Sequence, residues 1–304
     1  LVKTNFNKAA NMSNLNPKVY DILSLPKNEI KMNFPVKLSN NTTKVFSGYR
    51  VQHNNILGPY KGGLRFFPGV SLDESSALAS WMTLKCSLQG LPYGGGKGGL
   101  DINPNDYNQV DLENITRAFS RELYPYIGSN KDIPAPDVGT NPQIMDWMVD
   151  EYNILSNPDH RSHNMKSVFT GKSIEMGGSQ GRDEATGRGV AINIMEWYKN
   201  NNIELKGQSF IVQGFGNVGY FTSSILSSFG MSLIGVGDHT GYLYSNEGFN
   251  VHKLKKYNDE YKSLEGYPSG EQVTKKEFFH TKTDVIIPAA LELQIGKEEA
   301  EGID

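Results

Sequence analysis

The chain has 304 residues, of which 38% are hydrophobic and 21% are charged, and its net charge is −3. This length and composition indicate a chain of two domains and give no electrostatic reason to expect nucleic acid or a membrane surface as a partner. A single cysteine, Cys86, excludes an intrachain disulfide framework. Because no apolar run reaches about 18 residues, a membrane-spanning helix is not expected.

Residues 1–206 mix the patterns of strands and helices. Two runs of alternating apolar and polar residues enclose an Asn-rich loop, which is typical of a β-hairpin. Ser71, with Glu74 three positions later, fits a capping box, and Pro142 suits the first turn of a helix. The elements predicted here are a hairpin of strands 30–38 and 45–51 and two helices, 71–88 and 142–155.

From Gly207 onward the pattern becomes that of a parallel sheet. Short buried strands and a helix follow one another at the spacing of a βαβ unit. The predicted elements are a strand 209–213, a helix 218–229 and strands 231–236 and 284–287. The fold class is therefore α/β, with an N-terminal mixed-sheet domain over residues 1–206 and a Rossmann-type dinucleotide-binding domain over residues 207–304.

A glycine motif lies between the first strand and the helix of this second domain: Gly214-Phe215-Gly216-Asn217-Val218-Gly219. Glycines at this spacing permit a tight turn, the close approach of a pyrophosphate and close packing of the helix on the strand. Asp238, at the end of the next predicted strand, would accept hydrogen bonds from ribose hydroxyls and repel a 2′-phosphate. The motif therefore favours NAD, although the neighbouring His239 leaves NADP open. The alternative is a glycine turn without a ligand.

Three lysines of the first domain have unusual settings. Lys85 shares a face of its predicted helix with Trp81 and Met82, and a lysine that faces inward needs an anionic partner. Lys97 stands among glycines, where burial near other cations would lower its pKa and suit acid–base catalysis. Lys61 lies in a second glycine-rich segment, which we predict to be a turn. The alternatives are an ammonium that reaches water for Lys85 and flexible surface side chains for Lys61 and Lys97.

Asp137 follows two prolines, which would fix the direction of its carboxylate. The alternative is an aspartate that caps a turn. Several lysines and one held carboxylate suit an anionic substrate whose amine must lose and gain protons. The histidines and the cysteine are not spaced as metal ligands, so no metal site is expected.

The segment 91–104, LPYGGGKGGLDINP, resembles the active-site signature of the Glu/Leu/Phe/Val dehydrogenase superfamily. Further segments resemble glutamate dehydrogenases and occur in the same order: 58–66, 132–137, 178–189 and 213–219. The resemblance covers nearly the whole chain from about Lys27 and is closest to the NAD-dependent, catabolic, hexameric type. It implies a homohexameric enzyme that interconverts L-glutamate and 2-oxoglutarate plus ammonia, with hydride transfer to NAD.

The resemblance also implies roles for individual residues, and it assigns substrate binding and oligomerisation to residues 1–206. Lys97 would be the catalytic lysine and Asp137 the catalytic aspartate. Lys61 would bind the side-chain carboxylate of the substrate and Lys85 its α-carboxylate, and Arg182 would line the substrate cleft. Besides the glycine motif, the implied coenzyme contacts are Arg65, Thr186, Gln213, Asp238 and Ala289.

Lys61 distinguishes the substrates that this family uses. Relatives that act on leucine, valine or phenylalanine carry an apolar residue there, and a buried lysine without an anionic partner would reject an apolar side chain. The alternatives are a dehydrogenase of such apolar amino acids and a non-catalytic NAD-binding regulatory subunit. Family members also continue beyond the position of Asp304, so the resemblance implies a C-terminal truncation. A cytoplasmic location is expected, or a mitochondrial one if an N-terminal targeting segment is missing.

Overall fold

The first of two compact units, Leu1–Ser179, contains a five-stranded mixed sheet. The computed structural model describes residues 2–156, 163–291 and 293–303. The strands are β1 (Asn28–Lys37), β2 (Thr43–Asn54), β3 (Tyr60–Phe66), β4 (Gly95–Leu100) and β5 (Asp132–Pro136). The helices are α1 (Val2–Met12), α2 (Pro17–Ser24), α3 (Leu72–Leu88), α4 (Gln109–Leu123) and α5 (Pro142–Ser156), with 3₁₀ turns at Pro104–Asp106 and His163–Val168.

The strands of this sheet lie in the order β1-β2-β4-β3-β5. β1, β2 and β4 are antiparallel neighbours, whereas β3 runs parallel to both β4 and β5. The predicted hairpin is confirmed, with Phe34 opposite Phe46. Phe34 and Val36 alternate with exposed residues of β1 and pack into a core shared with α4 and α5. The alternating pattern was therefore a sound guide to this part of the sheet.

β4 has the sequence Gly-Gly-Lys-Gly-Gly-Leu and is buried along its whole length. A Cβ on Gly95 would overlap the hydroxyl of Thr83 in α3, and one on Gly99 would overlap the carbonyl of Arg65 in β3. Glycine thus allows a helix and a strand to approach β4 closely. The predicted turn around Lys61 is wrong for a related reason: Lys61 lies in β3, a glycine-containing strand, although glycine is depleted in strands generally.

The face of α3 that packs on β4 consists of small side chains rather than large apolar ones. Its buried residues are Ser75, Ala79, Thr83 and Cys86. Lys85 and Trp81 are exposed, so the prediction that Lys85 faces inward is wrong. Spacing alone placed the larger apolar residues inside, but the glycine strand leaves space only for small ones.

The second unit, Gln180–Asp304, contains another five-stranded sheet, in the order β10-β6-β7-β8-β9. Its strands are β6 (Ser209–Gln213), β7 (Ser232–Gly237), β8 (Tyr242–Tyr244), β9 (Glu271–Val273) and β10 (Val285–Pro288). Its helices are α6 (Ala185–Asn200), α7 (Asn217–Ser228), α8 (Val251–Tyr261), α9 (Lys275–Phe279) and α10 (Lys297–Ala300).

β10, β6 and β7 are parallel, and α7 connects β6 to β7, so the predicted βαβ unit is confirmed. β8 and β9 add two antiparallel strands that the sequence did not predict, since each has three residues and too short a pattern. The boundary expected near Lys206 lies after α6. In the structure α6 packs on α7 and belongs to the second unit.

Substitution of Gly95 by alanine should destabilise the first unit. The added Cβ would overlap the Thr83 hydroxyl and the Ala79 carbonyl, and such overpacking typically costs about 1–3 kcal/mol. Urea unfolding measures the change. Gly128→Ala is the matched control, because a Cβ there meets its nearest atom at 3.7 Å, an ordinary contact. Equal stability of the two variants would contradict this account of β4.

Candidate active site

A buried ion pair joins β4 to the residue that follows β5. Lys97 is 7% exposed, and its Nζ lies 2.8 Å from Oδ1 of Asp137. The backbone N–H of Asp137 donates to Thr140 Oγ1 at 2.7 Å, and this hydroxyl lies 2.9 Å from the carbonyl oxygen of Leu64 in β3. The position of the Asp137 carboxylate is therefore fixed from β3, β4 and the turn after β5.

Arg65 of β3 occupies the other oxygen of the same carboxylate. Its Nε donates to Oδ2 of Asp137 at 2.8 Å, and its Nη1 donates to Oε1 of Glu74 at 2.6 Å. One of the two hydrogen bonds of the predicted capping box is present: Ser71 Oγ accepts from the Glu74 N–H at 3.2 Å. The Glu74 carboxylate, however, binds Arg65. A residue predicted as half of a capping box therefore belongs to the ion cluster around Asp137.

Burial and the neighbouring charges change the pKa of both members of the ion pair. Burial lowers the pKa of Lys97 below its ordinary value; the charge of Asp137 opposes this shift, and the charges of Arg65 and Arg50 add to it. Burial alone would raise the pKa of Asp137, but Lys97 and Arg65 outweigh it, and the pKa lies below its ordinary value. A neutral Lys97 amine is thus reached at lower pH than in a free lysine, while Asp137 stays ionised. These two groups can exchange protons with an amine and with water.

Lys61 and Lys85 lie near a common thiol. Lys61 Nζ donates to the Ile133 carbonyl at 3.1 Å and to Thr170 Oγ1 at 2.7 Å. Burial raises the pKa of Cys86, and the charges of Lys61 and Lys85 both counteract that rise. The structure therefore brings these two predicted substrate lysines to one region of the first unit, with Lys85 at the surface.

Sequence reasoning missed the ion pair of Arg50 and Asp132, in which both side chains are fully buried. Arg50 Nε donates to Oδ2 of Asp132 at 2.9 Å, and Gln52 Nε2 donates to the same oxygen at 2.9 Å. The sequence did contain a sign of this pair: Arg50 stands between Tyr49 and Val51 in a predicted strand. Such a residue needs a buried anionic partner.

In the second unit, the three glycines of the motif that follows β6 have different surroundings: Gly214 and Gly216 precede α7, and Gly219 lies in its first turn. Gly214 has φ +93°, and a Cβ there would overlap the Ala289 carbonyl. A Cβ on Gly219 would overlap the Gly214 carbonyl, so this glycine permits close packing of α7 on the loop. Gly216 is exposed, and a Cβ there would meet nothing within 4 Å. The loop is therefore open to a ligand at its middle glycine, where α7 begins.

Other predicted coenzyme residues surround this loop. Ala289 donates its N–H to the Gln213 carbonyl at 2.7 Å, which joins the ends of β10 and β6. The buried Gln213 side chain donates to Gln294 Oε1 at 3.2 Å, and among described residues its Oε1 has no partner. Asn217 Nδ2 donates to the Asp183 carbonyl at 2.7 Å.

The remaining predicted residues lie at the ends of elements. Asp238 directly follows β7, and its Oδ1 accepts from the N–H and hydroxyl of Thr240 at 2.7 and 2.5 Å. Thr186 and Arg182 are exposed at and before the start of α6. The Phe215 side chain is buried and Val218 is half-buried. Arg182 belongs to the second unit, whereas the substrate lysines Lys61 and Lys85 and the catalytic pair of Lys97 and Asp137 belong to the first.

Within the described ranges, no group of three or more His, Cys, Asp or Glu side chains is arranged to hold a metal ion. In the same part of the chain, none of the helices combines the length and apolarity that a bilayer crossing requires.

Two family models match consecutive parts of the chain. The Glu/Leu/Phe/Val dehydrogenase dimerisation domain matches residues 26–154, and the Glutamate/Leucine/Phenylalanine/Valine dehydrogenase domain matches residues 177–304. The chain belongs to this dehydrogenase family. Among members of the Glu/Leu/Phe/Val dehydrogenases, the NAD-specific glutamate dehydrogenase of Peptoniphilus asaccharolyticus is 43% identical over 293 residues, which are 95% of this chain and 69% of that protein. The glutamate dehydrogenase of Thermotoga maritima is 42% identical over 299 residues, 98% of this chain and 71% of that protein.

Solved structures of the same dehydrogenase family agree in fold. The hetero-hexameric glutamate dehydrogenase of Thermus thermophilus, in a leucine-bound form, superposes with a TM-score of 0.88 at 32% identity and covers 95% of this chain and 67% of that one. The glutamate dehydrogenase of P. asaccharolyticus gives a TM-score of 0.82 at 38% identity and covers 99% of this chain and 71% of that one. The α/β fold class, with a mixed-sheet domain before a Rossmann-type domain, is confirmed.

Substitution of Asp137 by asparagine should lower the pKa of Lys97 further. The charge of Asp137 opposes the effect of burial on Lys97, and asparagine removes that charge. The pH dependence of reductive methylation at Lys97, followed by mass spectrometry, should shift to lower pH. Asp150→Asn, which removes a carboxylate that bonds Arg117, is the control and should leave the curve in place. A curve that moves to higher pH in Asp137→Asn would contradict the assignment.

Proposed function

We propose that the protein is an NAD-dependent glutamate dehydrogenase, which oxidises L-glutamate to 2-oxoglutarate and ammonia in a reversible reaction. The observation that carries this conclusion is the buried ion pair of Lys97 and Asp137 on the glycine strand of a Glu/Leu/Phe/Val dehydrogenase. The relatives named NAD-specific glutamate dehydrogenase, about 40% identical to this chain, support both the substrate and the coenzyme.

Lys61 is the residue to which we assign substrate selection. Its ammonium is held in place by a backbone carbonyl and a hydroxyl, so a charged group is fixed at a defined position. A glutamate side-chain carboxylate would form a charge-assisted hydrogen bond there. An apolar side chain could not form that bond. Lys85 would bind the α-carboxylate, and Arg182 is a further proposed substrate contact.

The loop between β6 and α7 suits a dinucleotide. Gly216 leaves space for a pyrophosphate at the N-terminus of α7, a helix of 12 residues, where backbone N–H groups attract anions. The buried Gln213 Oε1 supplies an acceptor beside the loop. Asp238 follows β7, the position from which a carboxylate binds ribose hydroxyls. Arg65, Thr186, Asn217 and Ala289 complete the proposed coenzyme contacts.

In the proposed mechanism, NAD held at the loop before α7 would supply the acceptor for the hydride that leaves Cα of glutamate. Asp137, whose pKa is lowered, is ionised at neutral pH and takes a proton from the substrate amine. Lys97, whose pKa is also lowered, can act in its neutral form as a base that activates water to attack the imine carbon. Lys61 and Lys85 hold the two carboxylates, which orients Cα and contributes by positioning rather than by proton transfer.

Assembly and location follow from the same family membership. We propose a homohexamer, since the Thermus thermophilus relative is described as a hetero-hexamer and is built from the same fold. Residues 1–206 would supply substrate binding and oligomerisation, and residues 207–304 would bind NAD. A cytoplasmic location is proposed, because the bacterial relatives named above give no support to a mitochondrial one.

The activity test is the reduction of NAD, and separately of NADP, by the full-length protein with L-glutamate or L-leucine. Turnover with glutamate and NAD is expected. Lys61→Leu should lower kcat/KM for glutamate by about 100-fold or more, because the charge that holds the side-chain carboxylate is lost. Lys31→Leu is the control, an exposed lysine of β1. Turnover of wild-type protein with leucine in place of glutamate would refute the assignment of Lys61.

The glycine loop allows folding and coenzyme binding to be separated. Gly216→Ala should leave the free energy of unfolding nearly unchanged, because a Cβ there meets no described atom within 4 Å, yet weaken NAD binding measured by calorimetry. Gly219→Ala should instead destabilise the unit, because its Cβ overlaps the Gly214 carbonyl. Undiminished NAD affinity in a stably folded Gly216→Ala protein would mean that the pyrophosphate binds elsewhere.

A further inference from the structure

Arg50 has a guanidinium with no exposed surface, and its contacts reach several strands. From β2, it forms the two-point ion pair with Asp132, the first residue of β5. Its Nη1 also lies 3.3 and 3.4 Å from the carbonyl oxygens of Gly62 and Gly63 in β3. The Arg50 side chain therefore contacts β3 and β5 at the same time, although neither strand is adjacent to β2 in the sheet.

The sheet order explains why this reach is unusual. β2 and β5 are separated by β4 and β3, so the Arg50 side chain has to pass over β4. It does so at Gly96, where a Cβ would lie 3.1 Å from Nη2 and 3.4 Å from Oδ1 of Asp132. The 3.1 Å separation from Nη2 is shorter than an ordinary van der Waals contact, so a side chain at this position would crowd the guanidinium. The glycine before Lys97 thus leaves room for the guanidinium and its carboxylate partner.

The three strands that this ion pair contacts beyond β2 carry, or lead directly to, residues of the proposed active site. Lys61 directly precedes Gly62 in β3, and Lys97 directly follows Gly96 in β4. Asp132 begins β5, and Asp137 follows the end of that strand. The positions of both members of the acid–base pair are therefore coupled to one buried guanidinium.

We propose that Arg50, held by Asp132, whose carboxylate also accepts from Gln52, is a positioning residue for the acid–base pair of Lys97 and Asp137. This inference rests on the proposed function, because it assigns Arg50 a task in the same reaction. Arg50 cannot touch a substrate, since it is fully buried. It acts through the backbone of β3 and β5 and through its charge, which disfavours the protonated form of Lys97.

A purely structural role explains the ion pair less well. A buried ion pair is weak evidence for stability, because well-packed apolar residues of similar volume often serve equally well or better. Here the pair is satisfied by Gln52 and by two backbone carbonyls, and it lies against Gly96 in the strand of Lys97.

The charge effect has a defined direction. The charged groups that act on Lys97 are Asp137 after β5, Arg65 on β3 and Arg50 on β2. Asp137 favours the protonated lysine, whereas both arginines disfavour it. Removal of Arg50 should therefore raise the pH at which Lys97 becomes neutral, and replacement by lysine should not.

The test uses the full-length protein with Arg50→Met combined with Asp132→Asn, which removes both charges and leaves no buried ion unpaired. Expected results are a fall in kcat for glutamate of at least about tenfold, an unchanged KM for NAD, and a shift of Lys97 reductive methylation to higher pH. Arg117→Met is the matched control: it removes a partly buried arginine that bonds carboxylates of α4 and α5. It should lower thermal stability without changing kcat or the methylation curve.

Arg50→Lys separates geometry from charge. It keeps the charge but loses the two-point contact, so kcat should fall while the methylation curve stays in place. This variant also decides the question if the double variant does not fold. Wild-type kcat with an unchanged methylation curve in a folded double variant, or wild-type kcat in Arg50→Lys, would overturn the proposal. If the wild-type protein does not oxidise glutamate, the proposed function fails, and the methylation curves still decide the effect of Arg50 on Lys97.

Discussion

Around β4, helix α3 and strand β3 approach so closely that four of the six residues of the strand are glycines, and the candidate site depends on that approach. Because the close approach leaves no space for side chains on the glycines, Lys97 is the one charged residue of β4, and its side chain is buried. The same exclusion allows the guanidinium of Arg50 to cross the strand. The need for glycine in β4 and the burial of Lys97 thus both result from the close approach of α3 and β3 to this strand.

The charges of the first unit are arranged around this strand in alternating sign. Asp137 lies between the cations Lys97 and Arg65, and Arg65 is shared with Glu74. Such a chain of partners stabilises the ionised carboxylate while burial continues to disfavour the ionised lysine. Both pKa values are therefore moved towards the protonation states in which each group can accept a proton, as the proposed mechanism requires of Asp137 towards the substrate amine and of Lys97 towards water.

Local patterns in the sequence predicted the parts of the fold in which they match the physical cause. Alternation predicted the hairpin of β1 and β2, and the glycine motif after β6 predicted the βαβ unit. Such patterns gave wrong predictions for Lys85 in α3 and for the segment around Lys61 in β3. Both elements pack against the glycine strand β4, which leaves space only for small side chains of α3 and allows glycines within β3. The Arg50 and Asp132 pair, 82 residues apart in sequence, could not be predicted from spacing, since it depends on the order of strands in the sheet. The catalytic roles came from resemblance.

The three glycines of the motif at the end of β6 and the start of α7 differ in the steric reason for which glycine is required. Gly214 and Gly219 are fixed by overlap with backbone carbonyls, so selection for a folded chain alone is enough to retain them. At Gly216 an added Cβ would meet no atom of the described residues within 4 Å, so without a bound nucleotide packing among those residues does not require a glycine. In a lineage that lost its coenzyme, this middle position would drift first while its two neighbours stayed glycine. The substitution record at Gly216 among descendants of such a chain is therefore a historical marker of ligand binding, independent of any assay.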